Sequence, residues 1–391
     1  MAACSTLSDE RRNRLVSKVL RSSLALAVAL AVTLVALGAA TASNKRSAAT
    51  HHVLVGIFDE GQTLYGDHSY SYPILQQLHS QVLRANLYWG GKYGVAQSRP
   101  AIAGDPEDPA YDWTLYDAFV GDALKYGMQP VLSIYGTPPW ANKGAGANVV
   151  PTTPADLQAF AKAAALHFPQ VKYFLAWNEP NNPVFLKPQY KRVSGKWVIQ
   201  SAVNYAKICN AVVLGVHSAR TGAKVACGVT APRGNNSPRS SRPSVAPLPF
   251  LSAMKRYGAK GFDAYAHHPY SLKPTETPTT KPGSSSVTMA NINTLIVQLT
   301  KLYGKKPLWV TEYGYQTNPP DKVLGVTYAK QAAYLKQAYG MARKNPRIAM
   351  MIWFLFQDDV YHKNGFDWQS GLLTQTGQKK PAFAAFASLP H

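Results

Sequence analysis

Two glutamates, Glu179 and Glu312, stand 133 positions apart in the segments Trp177-Asn178-Glu179-Pro180 and Thr311-Glu312-Tyr313-Gly314. Each follows a compact apolar run, residues 173–177 in one case and 307–310 in the other. Such runs read as buried parallel strands, so each carboxylate sits where a strand leaves a sheet. Two carboxylates at strand ends, flanked by aromatics and amides, are suited to acid/base and nucleophilic chemistry on a glycosidic bond. Only 20 residues are acidic, which gives weight to one at each such end. Taken singly, Glu179 also reads as a helix-start carboxylate after a strand. Glu312 also reads as the structural partner of a buried arginine. Their joint placement decides between these readings.

The elements that must position them recur along the chain. Strand-like runs cover 53–58, 82–89, 130–135, 173–177, 225–230, 262–268, 308–311 and 349–356. Amphipathic stretches at 116–126, 154–168, 202–217, 290–303 and 328–343 lie between them. Thr152 and Thr153 before Pro154 predict a capped helix start with proline in the first turn. Eight alternating units over residues 43–391 predict a single-domain α/β fold, a (β/α)8 barrel, over a doubly wound sheet. No GxGxxG opens the first unit and no GxxxxGK[ST] appears, which argues against nucleotide binding.

A barrel gathers its active groups at the C-terminal ends of its strands. The second strand offers Arg84, Asn86, Tyr88 and Trp89, and the third leads to Trp140. The fourth gives Asn178 and Glu179, and the sixth gives His267, His268 and Tyr270. Glu312 ends the seventh, and Trp353 followed by Gln357 and Asp358 marks the eighth. Stretches 233–249 and 273–286, rich in Pro, Ser, Thr and Arg, follow the fifth and sixth strands. They are expected to form long loops that wall a substrate cleft. Trp140 lies in a loop after a strand and is read as stacking on a sugar face.

With these residues in place the body of the chain, from about residue 53 onward, resembles clan A of the glycoside hydrolases. These are retaining β-glycosidases on a barrel with carboxylates after strands four and seven. Families 5 and 39 are the most similar. The resemblance implies that Glu179 is the acid/base and Glu312 the nucleophile. It further implies that Asn178 binds the sugar 2-hydroxyl and that Arg84 sits beside the nucleophile and keeps it ionised. His268 and Tyr270 match a His-x-Tyr at strand six, with Tyr270 donating to Glu312. Trp353 matches the strand-eight tryptophan that floors the −1 subsite. His267 takes no role from the resemblance, and a metal pair with His268 is disfavoured because adjacent residues rarely point to one site. The physics agrees. An adjacent arginine lowers a carboxyl pKa, whereas the acid needs the apolar setting that Trp177 and Pro180 help supply. A retaining pair stands about 5–5.5 Å apart. No metal or organic cofactor is required.

The composition sets the context. Hydrophobic residues make up 46% and charged residues 16% of the chain. Arg11, Arg12, Arg14, Lys18 and Arg21 precede an apolar stretch at 24–40, and Ala40-Thr41-Ala42 offers a cleavage site. Residues 1–42 therefore read as a secretory signal peptide, or as an uncleaved membrane anchor, with a secreted or anchored body at 43–391. The net charge of +21 becomes about +18 without that leader. This surplus attracts acidic glycans or an anionic cell surface, or it serves solubility. No nucleic-acid signature accompanies it. Cys209, in a helical pattern, and Cys227, in the next strand, read as an exported disulfide or as two buried thiols. The expected partner is an oligo- or polysaccharide, and the expected state is a monomer. Two alternatives remain: a catalytically silent glycan-binding barrel at the cell surface, and a hydrolase processing the cell's own anionic exopolysaccharide.

Overall fold

The computed structural model describes residues 51–283, 285–362 and 367–390. The expected leader, with its apolar stretch at 24–40, lies outside the described residues. Among them no helix is long and apolar enough to cross a membrane.

Alternation of apolar residues builds two layers of core. On the last barrel strand Met350 and Ile352 join one cluster, while Ile348, Met351 and Trp353 join another. The first cluster holds only strand residues and Phe354, which follows the last strand, so it is the barrel interior. There Ala264 and Ala266 make room for Trp309, which meets Tyr173 edge-on with ring centroids 5.4 Å apart. The second cluster contains the outward strand faces and the helices packed on them.

Eight parallel strands close the barrel: β1 (Leu54–Phe58), β2 (Val82–Tyr88), β3 (Gln129–Tyr135), β4 (Tyr173–Ala176), β7 (Lys224–Thr230), β8 (Ala264–His267), β9 (Leu308–Tyr313) and β10 (Ile348–Trp353). They pair in that order, and β10 returns to β1. All eight strands expected from the sequence are present, and the (β/α)8 barrel is the fold. Past β4 a small antiparallel hairpin forms from β5 (Lys191–Val193) and β6 (Lys196–Val198).

The helices are α1 (Glu60–Thr63), α2 (His68–Gln77), α3 (Thr114–Lys125), α4 (Pro139–Asn142), α5 (Pro154–His167), α6 (Gln200–Ser218), α7 (Pro247–Arg256), α8 (Ile292–Tyr303), α9 (Tyr328–Lys344) and α10 (Pro381–Ala387). Thr153 takes the N-cap position of α5 and Pro154 opens it, as expected, although no side-chain cap bond forms. Helix α2 escapes periodicity because Pro73 interrupts it and polar Ser71 is buried on its inner face. Cys209 on α6 and Cys227 on β7 form a disulfide, with Cα atoms 5.8 Å apart.

Candidate active site

The chain turns sharply where β4 ends. Trp177 and Glu179 both adopt positive φ, 74° and 35°. This region costs free energy for residues with a Cβ and persists only where the surroundings enforce it. Here the Trp177 amide donates to the Ile134 carbonyl, and Ser133 Oγ donates to the Trp177 carbonyl at 2.8 Å. The Trp177 indole donates to the Phe185 carbonyl at 2.7 Å. Thus anchored, the turn delivers Asn178 and Glu179 to the same mouth as Glu312.

Arg84 organises that mouth from below. Its side chain is fully buried on β2, and its guanidinium lies 4.2 Å from the Phe58 ring centroid. Nη1 donates to Glu312 Oε1 at 2.8 Å and to the Thr311 carbonyl at 2.9 Å. Nη2 donates to Asn178 Oδ1 at 2.9 Å. One guanidinium therefore fixes both glutamate-bearing segments. It also orients Asn178 so that the amide NH2 is the end left for another partner.

Tyr270 Oη donates to the other oxygen of Glu312 at 3.1 Å. His268 Nδ1 lies 3.0 Å from Glu179 Oε1, and its Nε2 lies 3.1 Å from Thr311 Oγ1. Burial pushes the His268 pKa down to about 3, so the ring is neutral and these contacts are hydrogen bonds rather than ion pairs. Asn182 Nδ2 donates to Glu179 Oε2 at 3.2 Å.

The two carboxyls have different environments. Glu312 has the Arg84 charge against it at 2.8 Å. Burial raises Glu179 to about 7, and hydrogen bonding from Asn182 and the charges of Arg84 and Arg233 offset this only partly. A carboxyl oxygen of each, with a ring nitrogen of His268, lies within 4.8 Å of the others. These three atoms could face a cation, but the guanidinium beside Glu312 opposes one. The arrangement presents one carboxyl paired with a guanidinium, across from Glu179, which still exchanges its proton near pH 7.

Arg84, Asn178, Glu179, His268, Tyr270 and Glu312 thus converge as expected. Trp353 does not. Strand alternation turns it out of the barrel, where it is fully buried and its indole donates to the Ser370 carbonyl at 2.9 Å. The next residue, Phe354, faces the mouth instead, 5.4 Å from Phe58 and 5.3 Å from Trp368 by ring centroids. Gly314 allows this approach, since a Cβ there would lie 2.2 Å from the Phe354 carbonyl oxygen. Trp140 is also a packing residue. Arg99 lies over its ring at 4.7 Å, Trp89 meets it edge-on, and its indole donates to the Ala96 carbonyl. His267 is structural, held between Thr230 Oγ1 and the Val287 carbonyl.

Glu60 stands at the end of the first strand, which the reading of strand ends omitted. Its carboxylate accepts from the Asn86 amide at 2.7 Å and from Tyr88 Oη at 3.0 Å. The adjacent pair Asp59-Glu60 after an apolar run was the available signal. Thr311 and Asn182, which hold His268 and Glu179, lay within or just beyond the quoted motifs.

Residues 137–385 match the glycosyl hydrolase catalytic core family, and the chain belongs to that family. Solved structures agree in fold. A family 39 glycoside hydrolase from Bacteroides cellulosilyticus superposes with a TM-score of 0.60 at 19% identity, over 86% of this chain and 63% of that one. A family 39 β-xylosidase from Caulobacter crescentus gives 0.58 at 17% identity, over 86% and 71%. A family 5, subfamily 18 protein from Streptomyces cattleya, in complex with GlcNAc, gives 0.57 at 15% identity, over 87% and 80%. The chain thus spans less than two thirds of the Bacteroides enzyme's length. No curated protein sequence matches it.

Proposed function

We propose that this protein is an exported glycosidase that cleaves β-linked glycans with retention of configuration. The observation that carries the reading is the pairing of two carboxyls across one mouth, only one of them ion-paired to a buried arginine. Their oxygens are close enough for the double-displacement separation of about 5–5.5 Å, which leaves no place for an attacking water between them.

In the first step a carboxylate oxygen of Glu312 bonds to the anomeric carbon. The glycosidic C–O bond breaks, and the proton of Glu179 passes to the departing oxygen. In the second step Glu179, now ionised, takes a proton from water. The water oxygen bonds to the anomeric carbon and Glu312 is released. Arg84 and Tyr270 bond to opposite oxygens of Glu312 and aim it. Asn178, with its Oδ1 fixed by Arg84, offers its NH2 to the sugar 2-hydroxyl. Phe354 offers an apolar ring at the floor. Export through residues 1–42, cleaved as a signal peptide or kept as an anchor, belongs to this proposal.

The test is turnover of aryl β-glycosides and soluble β-glycans by the purified protein. Glu312→Ala should lower kcat by about 10⁴-fold or more, as loss of a nucleophile does. Glu179→Ala should slow glycosides with poor leaving groups far more than those with good ones, because only the former need the proton. Undiminished activity in Glu312→Ala would overturn the assignment.

A further inference from the structure

The charges around the mouth are segregated. The segments after β10, β1 and β2, at 354–380, 59–67 and 89–113, hold ten of the 20 acidic residues and five lysines or arginines. The segments after β4, β7 and β8, at 177–199, 231–246 and 268–291, hold nine lysines or arginines and two acids, Glu179 and Glu276. Each set of strands is contiguous in the barrel, and the two sets face each other across β3 and β9. Asp59, Asp108 and Asp358 of the first set are buried, and Asp358 pairs with the buried Lys380, but the seven other acids still outnumber the lysines and arginines there. That rim is thus acidic, and the rim that carries Glu179 is basic.

The basic rim includes a built loop rather than a loose insertion. Asn181, two residues past Glu179, bonds to both arms of the segment after β7. Its Nδ2 donates to the Ala231 and Val245 carbonyls at 3.2 and 2.8 Å, and its Oδ1 accepts from the Ala231 amide at 2.8 Å. Gly234 presses against the opposite arm, where a Cβ would lie 2.1 Å from the Val245 carbonyl carbon. Asn235 Nδ2 donates to the Arg242 carbonyl at 2.9 Å, and Asn236 Oδ1 accepts from the Ala246 amide at 2.8 Å. The loop so held presents Arg233, Arg239 and Arg242, all exposed. None of the three joins an ion pair among the described residues. Arg233 is near enough to Glu179 for its charge to be felt by that carboxyl.

A general acid must touch the departing oxygen, so the elements around Glu179 are those that meet the leaving part of the substrate. We propose that the segment after β7 is an anion-binding subsite for the leaving side of an acidic glycan. Arg233 contacts a carboxylate or sulfate on the sugar beside the scissile bond, and Arg239 and Arg242 follow the chain outward. The opposite, acidic rim repels the same groups and thereby sets the direction in which the glycan lies. This inference rests on the reading of Glu179 as the acid.

The test is affinity electrophoresis of the full chain in gels containing carboxymethyl cellulose, cellulose sulfate or neutral hydroxyethyl cellulose. Two variants are compared with the parent: Arg233→Ala/Arg239→Ala/Arg242→Ala, and a charge-matched control on outer surfaces, Lys207→Ala/Lys260→Ala/Lys336→Ala. The arginine variant should bind the anionic polymers about tenfold more weakly, with the control within about twofold of the parent. The carboxylate and sulfate gels show which anion is preferred. Equal weakening in both variants would reduce the effect to net charge and overturn the subsite. Equal retention of the parent on charged and neutral polymers would overturn it too. The readout is binding, so failure here is distinguishable from failure to hydrolyse aryl β-glycosides.

Discussion

Glu179 carries the clearest consequence at the scale of single residues. Burial raises its pKa from 4.5 to about 7, so it still holds a proton where an ordinary glutamate has lost it. An acid is required in its protonated form, so kcat/KM should fall about tenfold per pH unit above about 7. The same shift has a cost in stability. The unfolded chain releases this proton near 4.5 and the folded chain near 7, so the folded state binds more protons in between. Stability therefore declines as pH rises through that window, and the full penalty is present above it. Glu179→Gln should abolish catalysis for poor leaving groups yet stabilise the fold above pH 7 by up to about 3 kcal/mol. Chemical denaturation at pH 4 and pH 8 checks this, with little difference expected at pH 4.

At the scale of elements the last barrel strand shows how alternation assigns roles. Trp353 and Phe354 are neighbours, yet one faces the helices and the other the mouth. Trp353→Ala should destabilise the protein by about 3–5 kcal/mol through the cavity it leaves. Phe354→Ala should raise KM for aryl glycosides about tenfold while changing stability less, because the ring is partly exposed at the mouth. Denaturant titration alongside steady-state kinetics separates the two.

The same strand marks what sequence can and cannot convey. The positions of β4 and β9, and with them Glu179 and Glu312, were legible because short apolar runs ending in a carboxylate motif leave little freedom of placement. Arg84, His268 and Tyr270 followed from strand ends as well. Trp353 was misplaced because a one-residue change in where a strand ends exchanges inside for outside. The packing of Trp140 was not legible because its partners, Arg99 and Trp89, come from a segment some 40–50 residues earlier. Helix α2 and the hairpin at 191–198 carry too little apolar periodicity to declare themselves.

At the scale of the whole molecule the barrel supplies what neither glutamate can supply alone. The strands β2, β4, β8 and β9 are spread over 229 residues of chain, from Arg84 to Glu312. Closure of the sheet brings their ends to one mouth, where a single guanidinium ties two of the segments together. The charge polarity of the rims is a property of the same order, since no single loop carries it. The most direct test of the central claim is proton NMR of the first product formed from an aryl β-glycoside, recorded before mutarotation. The account predicts that the β-anomer appears first, through a glycosyl-enzyme on Glu312. First appearance of the α-anomer would mean direct attack by water and would contradict it.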